Sequence, residues 1–180
     1  MKKRPLSIAL VAVLLIGLSA QAATLSAFSD SPASSAGQGD ARVYVFAEAA
    51  IQFRVPAGWS VRLDSDGNAK VSAKTGDAQI AFVALPIATD LKPDEREGLL
   101  DTLAEKARSA DLKLGTYNDS VSLGGMKVGI RRYIGNEIQG SYALLSAEKF
   151  VFIVVAVKKA AGDTLDDDVG AIMKSIKRSS

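Results

Sequence analysis

The eight consecutive apolar residues 150–157, Phe-Val-Phe-Ile-Val-Val-Ala-Val, leave no polar face. Whatever element they form must be covered on both sides. The run is rich in β-branched and aromatic residues and is bounded by Lys149 and Lys158, which suits a strand. It is far shorter than the roughly 20 residues that a membrane-crossing helix needs. The expectation is a central strand around which a sheet is built.

The remaining patterns supply that sheet and its covers. Alternation over 42–47 and 51–55 predicts two strands, followed by a Pro56-Ala57-Gly58 turn and an extended segment from Trp59 to Leu63. Strands at 69–74 and 79–85 read as a hairpin, which makes the opening of the domain a meander. Segments 113–123 and 126–134 flank Gly124-Gly125, a dipeptide suited to the positive φ values of a two-residue hairpin turn. Segment 139–146 then leads to the central strand. Two helices are expected. The first, at 93–110, opens on Pro93 and stacks Leu99, Leu100, Leu103 and Ala107. The second, at 164–177, is capped by Asp163 or Thr164 and buries Leu165, Val169, Ile172 and Ile176. The fold class is therefore α+β, an α/β/α-type sandwich around a largely antiparallel sheet with two main helices.

Ahead of the domain, Lys2, Lys3 and Arg4 precede an apolar run at 6–18, and Ala20-Gln21-Ala22 fits the small-residue pattern of a signal-peptidase site. We read 1–22 as a signal peptide cleaved after Ala22, 23–39 as a flexible Ala/Ser/Gly-rich leader, and 40–180 as a single domain. The location implied is periplasmic or secreted, with no membrane span after cleavage. Loss of the three N-terminal cations leaves 19 basic against 20 acidic residues, a formal charge of −1. Without a long-range positive field, nucleic acid is not an expected partner.

The chain has no cysteine and no histidine. That removes disulfides, thiolate chemistry, the commonest metal ligand and the commonest general base. No cofactor and no metal site are expected. Asp64-Ser65-Asp66-Gly67-Asn68 has the acidity of a calcium loop, but its glycine is fourth where an EF-hand needs it sixth, so it reads as a turn. Asp166, Asp167 and Asp168 suit the positive end of a helix dipole, and Trp59 suits a plug at one end of the core. Arg132 shares a strand face with Met126, Val128, Ile130 and Ile134, which places it at the sheet margin.

The order of elements resembles the superfamily of the photosystem II extrinsic protein PsbP, the periplasmic DcrB-like proteins and the mycobacterial LpqN-like lipoproteins. The residues that carry the likeness are Phe53-Arg54-Val55-Pro56-Ala57-Gly58-Trp59 near the start. At the other end they are Phe150-Val151-Phe152-Ile153-Val154 and the following helix, ending in Lys174-Ser175-Ile176. The resemblance spans about residues 42–178. It implies an accessory, assembly or binding module rather than an enzyme, and it carries no catalytic residues across. The lipobox cysteine of the lipoprotein members is missing here.

The expected function is thus an exported, non-enzymatic binding or assembly accessory of the bacterial cell envelope, whose partner is an envelope protein or other envelope component. The alternative is a histidine-free, carboxylate-dependent hydrolase of an envelope polymer, which requires two converging acids. As a binding patch we single out Tyr117, Arg131 and Tyr133. Arg131 and Tyr133 share one face of their strand, the Gly124-Gly125 hairpin can bring Tyr117 alongside, and exposed tyrosine with arginine is enriched at partner surfaces.

Overall fold

The computed structural model describes residues 41–87, 91–108 and 111–179. The signal peptide expected at 1–22 and the leader expected at 23–39 lie outside the described residues. The elements run β1 (Arg42–Phe46), β2 (Ile51–Val55), β3 (Trp59–Leu63), β4 (Ala69–Ala73), β5 (Ala78–Ala84), α1 (Pro93–Ala107), β6 (Lys113–Leu123), β7 (Met126–Ile134), β8 (Ile138–Ser146), β9 (Phe150–Lys158), α2 (Asp163–Lys174) and β10 (Lys177–Arg178).

β9 holds the middle of a seven-stranded sheet ordered β3-β4-β5-β9-β8-β7-β6, in which every pairing is antiparallel. Its side chains alternate between two cores. Val151, Ile153, Val155 and Val157 join one, together with Ile80, Phe82, Val169 and Ile172. Phe150 and Phe152 join the other, with Leu100, Leu103 and Tyr142. The first face is covered by α2 and a small second sheet, and the other by α1. This α+β sandwich is the fold class expected from the apolar run.

Local chemistry explains the covers. At the start of α1, Pro93 needs no N–H partner and the Glu95 carboxylate accepts from the Lys92 backbone N–H at 2.9 Å. The helix then buries Leu100, Leu103 and Ala104. α2 buries Val169 and Ile172, but neither Asp163 nor Thr164 caps it. Gly162 occupies the cap position without a side-chain bond, while Asp163 and Asp166 lie in the first turn.

Two further expectations are corrected. β2 and β3 do not continue one meander: β1, β2 and β10 form a separate three-stranded sheet, and the chain crosses between sheets at Pro56-Ala57-Gly58, where Gly58 takes φ +84°. The second helix also ends before residue 177. β2 offers an open edge, and the chain leaves the helix to pair Lys177 with Gln52 and Arg178 with Ile51. Ser175 makes the junction by accepting the Arg54 N–H on its Oγ at 2.7 Å.

The β6–β7 hairpin turns at Gly124 (φ +53°) and Gly125 (φ +79°) as expected. Its tip also touches the C-terminal segment: a Cβ on Gly124 would lie 2.5 Å from the Ile176 carbonyl oxygen and 2.6 Å from Lys177 Cα, whereas one on Gly125 would meet nothing within 4 Å. Gly125→Ala should therefore cost only the left-handed backbone penalty, about 1 kcal/mol. Gly124→Ala should cost about 1–3 kcal/mol more, because it also overpacks against β10. Urea denaturation of the two variants checks the difference, and equal losses would remove the contact between hairpin and C-terminus.

Candidate functional site

β6 and β7 pair Tyr117 with Arg131, and α1 lies across them. The Arg131 side chain is only 16 % exposed. Its Nε and one terminal nitrogen donate to both oxygens of Asp101, the latter at 2.9 Å. That nitrogen also reaches Glu97 at 3.2 Å, and the other donates to the Gly115 carbonyl at 3.0 Å. The guanidinium carbon sits 5.8 Å from the centre of the Tyr117 ring. Hydrogen bonding to Asp101 holds Arg131 even more firmly charged than an ordinary arginine. Tyr117 is half-buried over Gly129, where a Cβ would lie 2.8 Å from its Cε2, and burial raises its phenol pKa.

Tyr133 is placed differently from the exposed face expected of it. It is 2 % exposed, its hydroxyl donates to the Val155 carbonyl at 2.6 Å, and its ring centre is 4.7 Å from that of Tyr142. Parity put Tyr133 on the same face as Arg131 correctly, but that face is the one α1 covers. Its partner across the strands is Gly140, where a Cβ would come within 2.7 Å of the hydroxyl. Burial pushes the Tyr133 phenol pKa up and that of Tyr142 up to about 12, so both remain neutral hydrogen-bonding groups.

The structure thus brings Tyr117 and Arg131 together and sends Tyr133 into the core. Four hydrogen bonds engage the guanidinium internally, so its main work is to fasten α1 to the sheet. Glu97 and Asp101 converge, but on Arg131. Beside them on α1, the Nε of Arg96 is buried without a hydrogen-bond partner.

The other singled-out residues have structural partners. Asp64 accepts from the backbone N–H groups of Asp66 and Asn68 and from the Asn68 side chain at 2.9–3.0 Å, which uses the loop's leading carboxylate to close its own turn. Trp59 packs at the margin of the core and donates its indole N–H to Asp168 at 2.9 Å. Sequence reasoning missed that link between β3 and α2, since 109 residues separate the pair. Arg132 is exposed, near the end of β7, a strand paired on both sides. Among the described residues no group of three or more acidic, histidine or cysteine side chains is placed to hold a metal. Open clefts among the described residues include one of about 200 Å³ beside Asp77 and Lys158 and one of about 470 Å³ between Arg42, Tyr44, Pro56 and Trp59.

Sequence reasoning also missed the outward face of the small sheet. Val43 and Val45, 37 % and 46 % exposed, pair with Arg54 and Gln52, and Lys177 flanks Gln52 on the other side. The signal available was the absence of any Asp or Glu from 42–46, 51–55 and 174–178.

Comparison with solved structures finds the solution structure of cyanobacterial PsbP (CyanoP) from Synechocystis sp. PCC 6803. The likeness has a TM-score of 0.56 over 82 % of this chain and 99 % of that one, at 12 % identity. The fold is PsbP-like. No protein-family profile and no curated protein sequence matches the chain, so the PsbP likeness rests on three-dimensional arrangement. Among the described residues of this PsbP-like domain, no helix is long and apolar enough to cross a membrane.

If Arg131 fastens α1, a double-mutant cycle of Arg131→Ala and Asp101→Asn should show a coupling of at least about 1 kcal/mol in urea unfolding, with Asp101's part exposure limiting it. Simple additivity would show that the contact contributes nothing to stability.

Proposed function

We propose that this PsbP-like protein is an exported, non-enzymatic binding or assembly accessory of the bacterial cell envelope, released to the periplasm or exterior by cleavage after Ala22. The observation that carries the reading is the likeness of fold to PsbP across 82 % of the chain. The N-terminal pattern of Lys2, Lys3, Arg4, an apolar run and Ala20-Gln21-Ala22 supports export. The absence of histidine and cysteine supports a role without histidine- or thiol-based catalysis. The middle of the large sheet is covered on both faces, so recognition falls to the outer surfaces of the covers and to the exposed edge strand β6. Tyr117 belongs to that edge strand, beside α1, and contributes its ring rather than the hydrogen bonds of Arg131.

Brief crosslinking in the native envelope, followed by purification and mass spectrometry, tests the reading. The expected outcome is a discrete envelope partner enriched over a control of equal abundance, and Edman or mass analysis should place the N-terminus of the recovered chain at Ala23. An uncut chain would overturn the export reading. Turnover of an isolated envelope polymer without any enriched partner would favour the carboxylate-dependent hydrolase instead.

A further inference from the structure

The chain is close to neutral once its first 22 residues are set aside, yet its charge is unevenly placed. The three strands of the small sheet and the last turn of α2 carry five exposed cations: Arg54 and Lys177 on the outward face with Val43 and Val45, Lys174 at the end of α2, and Arg42 and Arg178 at the rim, where their strand partners Val55 and Ile51 face the core. These segments contain no acid. Among the described residues none of the five makes an ion pair, as is true of most of the domain's cations. The neighbouring carboxylates are engaged elsewhere, Glu48 by Lys149 at 3.8 Å and Asp168 by the Trp59 indole.

Among these cations lie the two exposed valines. Val43 is directly across from Arg54, and Val45 is across from Gln52, whose other neighbour is Lys177. Apolar side chains set among unpaired cations match a surface that is negative at its polar layer and apolar beneath it. We propose that the outward face of the β1-β2-β10 sheet docks on the anionic phospholipid headgroups of a bilayer.

The arrangement favours a lipid surface over an acidic protein. The cations stand on flexible stems spread over the strands and the end of α2, and none is locked into a fork by a neighbouring carboxylate as Arg131 is. Such a spread array can meet laterally mobile headgroups one by one, each cation adding roughly a factor of five to binding. The chain preceding the domain joins it at Ala41, at the margin of this same face. The proposal goes beyond the accessory reading and does not rest on it, since lipid docking needs no protein partner.

Co-sedimentation of the purified protein tests it, using vesicles of phosphatidylglycerol mixed with phosphatidylcholine and vesicles of phosphatidylcholine alone. The protein should pellet with the first and not the second. Binding should weaken at least about tenfold when salt is raised from 0.05 to 0.5 M, as the screening length shortens to a few ångström. Arg54→Glu with Lys177→Glu should lower binding at least about tenfold, and Lys174→Glu with Lys177→Glu should do likewise. Far-UV circular dichroism and the urea midpoint establish that each variant is folded, and the second pair guards against a folding defect in the first. Val43→Ser with Val45→Ser, which leaves the charge unchanged, should weaken binding roughly two- to fivefold. Equal pelleting with both vesicle types, or binding that survives both charge reversals in folded protein, overturns the proposal. Failure to pellet, together with salt-sensitive binding of poly-glutamate that the same reversals abolish, also overturns it and assigns the face to an acidic protein.

Discussion

Everything in this domain follows from the burial of β9 on both sides. Phe150, Val151, Phe152 and Ile153 are all fully buried. Removing each such side chain from water is worth about 1.5–3 kcal/mol, so these four together rival the whole net stability of a typical domain, about 5–15 kcal/mol. A sheet with such a strand at its centre cannot leave either face wet. It needs two covers, and the chain provides them from segments that follow or precede the sheet strands in sequence.

The two covers are fastened by different means. α1 is apolar beneath and held at its rim by Arg131, which couples helix acids to the sheet. The opposite cover is composite. α2 packs Val169 and Ile172 inward, while β1 and β2 reach the same core through Phe46, Ile51, Phe53 and Val55. Phe53 stacks on Phe82 of the large sheet with ring centres 4.6 Å apart. β10 and Ser175 join the last described segment to β2, and the Gly124 turn touches the join. The region where the first and last strands of the described domain meet also carries exposed cations on acid-free segments, so the second cover is both a lid on the core and a basic surface.

Much of this was legible in the residues, because period and punctuation report local geometry. The two-sided strand, the Gly124-Gly125 hairpin, the stripe of α1 and the structural reading of Asp64 all rest on patterns a few residues long. What escaped depended on long-range pairing. The split between β2 and β3 cannot be read from alternation, since a strand has the same period in either sheet. β10 looked helical because Ile176 continues the stripe of α2, and only the open edge of β2 draws the next residues into extended pairing. Tyr133 was assigned to the right face but the wrong environment: parity says which side a residue points to, not what lies over it. The basic face was hidden because its cations come from the first and last elements of the described domain, and a net charge of −1 averages them away.

The most direct test of the arrangement is hydrogen exchange of the intact protein, resolved by peptide mass spectrometry. If the domain is organised around a strand sealed on both faces, amides in residues 150–157 and in the adjoining parts of β5 and β8 should exchange only through global unfolding. The edge strands β1 and β6 should exchange faster, by local opening. Exchange of residues 150–157 as fast as that of β6 would contradict the two-sided burial and, with it, the covers from which the surface assignments are drawn.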